Sequence, residues 1–407
     1  MTFALPPLSL YVHIPWCVKK CPYCDFNSHN APAALPQDEY VAALLADLDL
    51  DLREQKAALT PGRSLRSIFF GGGTPSLFAP DRIARILDGV AARLAFAADI
   101  EITLETNPGT IEHGSFAGYR RAGVNRISFG IQSFDDEALG RIGRIHDAAQ
   151  AENAVKQAQD DGFHNINLDL MYALPSQTLA QALADVEKAT MLQTPHLSHY
   201  QLTLEPNTQF AASPPPLPDD DSAWDMQEAC QAMLATAGFG QYEVSAYAKA
   251  GYECRHNLNY WRFGDYLGIG AGAHAKMTEA AEPEEENRPA RDAHPAAHLN
   301  VRRRWKVRSP RGYLDHARGP RRIGGDNAID LAQLPFEFML NALRLPRGFA
   351  LSDFEAATGL TRESIAAQLQ RAVKRGWLVI DGECVRPTDP GQRFLNDVIG
   401  SFLPEDS

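Results

Sequence analysis

The 407-residue chain has no uninterrupted apolar run of the ~20 residues that a bilayer-spanning helix requires, which excludes an anchor of that kind. It has no surplus of positive charge either. Lys and Arg number 39 against 51 Asp and Glu, for a net charge of −12, and this argues against a nucleic-acid partner, because phosphate contacts need basic residues in excess on one face. Its start, MTFALPPLSLYVHIPWC, lacks the basic opening of a secretory leader and reads as the first strand of a domain. No repeat of solenoid period is present. Cysteine is scarce and unevenly spread: three of the six lie within eight residues, a pattern that excludes a disulfide framework and, in a reducing compartment, points to metal. The cytoplasm is the expected location. Apolar residues make up 44% and charged residues 22%, enough for a core of ordinary size.

Short apolar segments rich in Ile, Val and Phe alternate with helical patterns from residue 8 to about residue 245. Strands are expected at Leu8–Ile14, Leu65–Phe70, Ile100–Glu105, Val124–Gly130, Asn165–Leu170 and His196–Leu202, with helices such as Gln37–Gln55, Asp81–Leu94 and Asp147–Asp160 between them. Six βα units predict an α/β fold, a partial (β/α)6 TIM-like barrel over residues 1–245, whose polar groups collect at strand C-termini. Residues 246–329 are expected to form a connecting segment. Within it, Glu279–His298 reads as an inserted acidic loop, and Val301–Arg322, with eight Arg and one Lys, reads as a solvated basic face. Residues 330–407 predict a winged-helix-like α+β domain of short helices around a two-strand piece. Helix Thr361–Arg375 has the look of a recognition helix, but the domain holds 8 Lys and Arg against 11 Asp and Glu, which argues for packing on protein instead of DNA.

Cys17-x-x-x-Cys21-x-x-Cys24 follows the first strand directly. Three thiolates can bind three irons of a cubane and leave the fourth open to a small ligand. A closed zinc site would need a fourth ligand, His13 or His29. The surroundings, HIPWC…CPYCDF, resemble the signature of the radical S-adenosylmethionine (SAM) superfamily. In that superfamily SAM chelates the open iron of a [4Fe–4S] cluster and is cleaved to an adenosyl radical. The resemblance places Tyr23 near adenine, and Gly72, Gly73 and Thr74 of GGGTP at the methionine ammonium. Glu105, Gln132 and Asp169 sit at strand ends that converge on the barrel mouth. Glu105 and Asp169 can accept from ribose hydroxyls or the ammonium, Arg144 can grip the carboxylate with two prongs, and Tyr11 is placed to reach SAM.

Longer matches, including GGGTPS, RISFGIQSF, LDLMYALPSQT and CRHNLNYWRFGDYLGIGAGAHAK, resemble the coproporphyrinogen III dehydrogenase family of porphyrin biosynthesis, and within it the HemW heme-chaperone branch. Phe26 stands where the dehydrogenases carry a fourth cysteine, and Cys17 comes too early for their N-terminal extension; both features belong to the chaperone branch. The resemblance implies heme as a third cofactor, bound near His256, Asn257, Tyr260 and Trp261, with Cys254 and His274 as rival iron ligands; the Arg-rich stretch Val301–Arg322 could then pair with porphyrin propionates, against its reading as a solvated face. It also implies heme-acceptor proteins as partners, such as respiratory heme proteins and bacterioferritin, and allows transient contact with membrane heme proteins and a homodimer. The competing expectation is an enzyme that oxidatively decarboxylates coproporphyrinogen III without oxygen. A DNA-binding cluster sensor fits the charge poorly.

Overall fold

The first strand, β1 (Leu8–Ile14, LSLYVHI), buries six of its seven residues, as a central parallel strand covered on both faces does. The structure is a computed structural model and describes residues 5–59, 62–109, 115–280 and 299–404. From β1 onward, β2 (Leu65–Gly72), β3 (Phe96–Thr106), β4 (Arg126–Gln132), β5 (Asn165–Tyr172) and β6 (His196–Gln201) pair side by side, all parallel. The intervening helices are α1 (Gln37–Glu54), α2 (Pro80–Ala91), α3 (Phe116–Ala122), α4 (Ala148–Asp160) and α5 (Leu179–Met191). Sequence sets their starts: Asp147 with Gln150 and Thr178 with Gln181 form capping boxes for α4 and α5. A sixth helix, α6 (Asp220–Thr236), follows β6 and leads to β7 (Gly240–Glu243).

The sheet does not stop at residue 245. β8 (Ala246–Ala248) lies antiparallel to both β6 and β7. At the opposite edge β9 (Asp265–Ile269) pairs parallel with β1, and β10 (His274–Ala280), β11 (Leu299–Lys306) and β12 (Ile323–Ala328) continue antiparallel from it. The full order is β12-β11-β10-β9-β1-β2-β3-β4-β5-β6-β8-β7, a partial barrel extended at both edges. Residues 246–329, expected as a connector, thus supply five of the twelve strands. Without β9 the backbone groups along one side of β1 would be left unpaired. Of the expected loop Glu279–His298, residues 281–298 lie outside the described residues, while Ala280 and Leu299 at its two ends face each other across β10 and β11.

The basic stretch is a solvated face only in part: Arg308, Arg311, Arg318 and Arg321 are exposed, the rest are not. Lys306 and Arg322 are wholly buried and ion-paired with Asp47 and Asp51 of α1; Arg304 joins Asp51, Glu54 and Asp326. Buried cations are retained where carboxylates meet them, and α1 provides three at a spacing that places them along one stripe.

The C-terminal part has its own apolar core, including Leu334, Phe338, Phe354, Ile365, Leu369 and Val398, to which Phe263 and Val301 contribute from the barrel side. Its sheet has three short strands, Phe349–Ala350, Cys384–Pro387 and Leu378–Asp381. The expected helix Thr361–Arg375 begins as a 3-10 turn and becomes α-helical at Ala366. Arg362 is spent within the domain, on Glu355 and Glu383.

Candidate functional site at the barrel mouth

Cys17, Cys21 and Cys24 lie on the loop that leaves β1. Trp16–Cys17 pairs with His29–Asn30, and Lys20 Nζ donates to the carbonyls of Phe26 (3.0 Å) and Ser28 (3.2 Å). Asn27 Nδ2 ties the same loop to the carbonyls of Ala271 and Arg308. All three cysteines are free and partly exposed. Burial raises the thiol pKa of Cys17 and Cys24, and the neighbouring cysteines raise it further, so three thiolates together need a cation among them. Among the described residues no three His, Cys, Asp or Glu side chains gather on one ion. A cubane is held differently, with each thiolate on its own iron.

The glycines at the end of β2 are there for want of room. Gly72 has φ +108°, and a Cβ would lie 2.4 Å from the His13 ring; at Gly73 one would lie 2.5 Å from the Trp16 carbonyl. This close packing ties the end of β2 to the start of the cluster loop: the Gly73 N–H donates to the Ile14 carbonyl and the Thr74 N–H to the Trp16 carbonyl. The Gly72 N–H donates to Glu105 Oε2 at 3.3 Å, and Thr74 Oγ1 accepts from Asn107. Burial, with the charge of Asp169, pushes the Glu105 carboxyl up to about 8. Burial also raises Asp169, against a hydrogen bond from Asn167. Gln132 lies inside β4, not after it, and accepts from Tyr200 Oη at 2.8 Å.

Arg144 is already tied to the protein. Its guanidinium donates to Asn107 Oδ1 and to the Gly130 carbonyl, both at 2.5 Å, and to Cys21 Sγ at 3.6 Å; its buried Nε has no partner among the described residues. Tyr23 packs against Phe210. Tyr11 Oη donates to His13 Nδ1, since His13 Nε2 is committed to the Asn27 carbonyl. Tyr11 and Glu105 line two neighbouring cavities. One, of about 460 Å³, opens towards Phe26, His274 and Arg308. The other, of about 250 Å³, lies inside the barrel and is lined by Arg126, Asp169, His256, Asn257 and Tyr260.

The structure divides the expected heme motif. Helix α7 (Arg255–Trp261) points Asn257 and Tyr260, three residues apart, into the barrel. Trp261 turns away to a separate cavity of about 840 Å³ against the C-terminal domain, where Arg344 lies over its ring. His256 is enclosed, 1% exposed. Its Nδ1 donates to Ser67 Oγ (2.8 Å), whose own proton goes to Ser9, and its Nε2 accepts from Tyr260 Oη (2.9 Å). Burial and the Arg126 charge hold it neutral, its pKa down to about 3. A histidine so engaged does not present an open nitrogen to iron. Cys254 is fully buried, with its thiol on Glu101. Asn107, Arg126 and Tyr200 belong to the site but were not singled out from sequence, although Arg126 opens the RISFGIQSF motif and Asn107 lies two residues beyond Glu105; Arg308, also at the site, lies in the basic stretch Val301–Arg322.

A cysteine loop at the mouth of a parallel partial barrel, with a glycine-rich strand end and a buried acid beside it, defines a radical SAM protein. The Radical SAM superfamily model matches residues 11–189, and the HemN C-terminal domain model matches residues 329–394. The chain is 48% identical to "Heme chaperone HemW" of Escherichia coli over 98% of its length and 99% of that protein, and 48% identical to the Haemophilus influenzae protein of the same name over 99% of both. It belongs to the HemW heme-chaperone family. Its fold is that of the solved coproporphyrinogen III oxidase HemN of Escherichia coli, with a TM-score of 0.77 at 22% identity, covering 98% of this chain and 90% of that one.

Proposed function

We propose that this protein is a heme carrier, binding heme at the barrel mouth and passing it to acceptor proteins. The observation that carries this reading is the full-length identity of 48% to heme chaperones of two bacteria. Its cofactors are a [4Fe–4S] cluster and SAM, as the radical SAM match implies. In the proposed assignment Cys17, Cys21 and Cys24 would hold the cluster, which would leave one iron open to SAM and, once reduced by an external donor, could supply single electrons. Thr74 and Asn107 brace the loop, Thr74 on the side of the methionine ammonium, and Arg144, held by Asn107, presents positive charge to the methionine carboxylate. Gly72 and Gly73 keep the backbone low enough for a ligand to approach, Glu105 and Asp169 receive the ammonium and ribose hydroxyls, and Tyr11, Tyr23 and Gln132 fix the walls. No helix among the described residues is long and apolar enough to cross a membrane. A cytoplasmic carrier serving respiratory heme proteins and bacterioferritin is the finer form of the proposal. The test is anaerobic heme titration of the reconstituted protein, followed by mixing with an apo-acceptor. Saturable binding and loss of heme to the acceptor are expected; heme that never leaves would overturn the carrier role.

A further inference from the structure

A heme iron needs a ligand atom that is free to bind it, and a histidine offers one only as a neutral ring nitrogen not committed elsewhere. Of the three candidates, His256 has both ring nitrogens engaged and Cys254 is sealed in the core. His274 differs from both. It opens β10, is exposed, and its ring nitrogens have no hydrogen-bond partner among the described residues. The ring stacks on Trp305 across the β10–β11 pair, with centroids 6.0 Å apart and planes at 20°. This contact fixes the ring's direction while leaving its edge free.

His274 lines the 460 Å³ cavity at the barrel mouth, a volume in the range of cofactor sites. The same cavity brings in Phe26, a large apolar side chain left 60% exposed, and Arg308, exposed and without an ion-pair partner among the described residues. These are three different chemistries in one place: a metal ligand, an aromatic face and a cation for carboxylate. Asn27 holds them in one frame, because its amide bridges the loop carrying Phe26 to the Arg308 backbone. Partial burial of the imidazole, with the Arg303 and Arg308 charges, lowers its pKa and favours the neutral form.

We propose that His274 is the axial ligand of the carried heme, with Phe26 against the porphyrin and Arg308 on a propionate. The proposal rests on the heme-carrier reading and locates its ligand. The experiment is heme titration of the cluster-reconstituted wild type, His274→Gly and His256→Ala, read by the heme difference spectrum and by electron paramagnetic resonance. Iron and sulfide contents and thermal melts establish that each variant is folded. His274→Gly is expected to lose the wild-type Soret band and the imidazole-ligated signal, with both restored by free imidazole; His256→Ala, where folded, is expected to keep them. An unchanged heme spectrum in His274→Gly overturns the ligand assignment and leaves the carrier reading standing. No heme bound by the wild type overturns both.

Discussion

At pH 7 Glu105 carries a proton, because its buried carboxyl has been pushed up to about 8 by loss of water and by Asp169. A cationic ligand reverses that balance, since the ionised form then has a partner. SAM binding at pH 7 is therefore expected to release a proton from Glu105, and its affinity to rise with pH until about 8 and then level off. Calorimetry in buffers of different ionisation heat measures the release, and Glu105→Gln should abolish it. Uptake of a proton on binding would show that Glu105 does not receive the cation. The cysteines give a second test at this scale. Cys17→Ala, Cys21→Ala and Cys24→Ala should each abolish the cluster, which should otherwise assay at about four irons and four sulfides per chain. Cys230, buried within α6, and Cys384, on a strand of the C-terminal sheet, should be replaceable without loss of iron.

At the scale of elements, the contact of α1 with β11 and the turn at Arg322 depends on charge held out of water. Asp47 meets Lys306, Arg322 and Tyr313, and Asp51 meets Lys306 and Arg322, all of these side chains being buried. Lys306→Met removes one cation and leaves two carboxylates short of compensation. The expected loss is about 3–5 kcal/mol of unfolding free energy, read from the shift of the denaturant midpoint. A midpoint within error of the wild type would show that Arg322, with Arg304 on Asp51, balances the pair without Lys306. The same elements show what sequence could and could not reveal. Strand β1 was legible to the residue because Leu8, Leu10, Val12 and Ile14 recur at every second position, the period of a strand. β9 was not, because it joins β1 across more than 250 residues, Leu8 against Asp265, and its glycine-rich surroundings read as loop. The cysteine loop and glycine-rich strand end were legible as motifs. HNxxYW was read as one unit, yet a helix turns about 100° per residue, so Tyr260 and Trp261 serve different cavities. The basic stretch misled because its carboxylate partners lie on α1, far away in sequence.

For the whole molecule, the scaffold does not decide between carrier and enzyme, because a coproporphyrinogen oxidase shares it at a TM-score of 0.77. The mouth must decide. An oxidative decarboxylase removes hydrogen from two propionates in turn and loses CO₂ each time. Its reactive species must be kept from water, which demands a closed pocket. Here Phe26 stands 60% exposed, and His274 and Arg308 beside it are also open to solvent. A carrier has the opposite requirement: heme must enter and leave by an open edge, held by a ligand that an acceptor can displace. The expected result is therefore heme bound at about one per chain and no protoporphyrinogen IX formed from coproporphyrinogen III under anaerobic, reducing conditions with SAM. Chromatography of the porphyrin products after oxidation measures the second outcome. Sustained formation of protoporphyrinogen over many turnovers would mean that the mouth closes over substrate in a way its exposed residues do not foreshadow, and the chain would then be an enzyme.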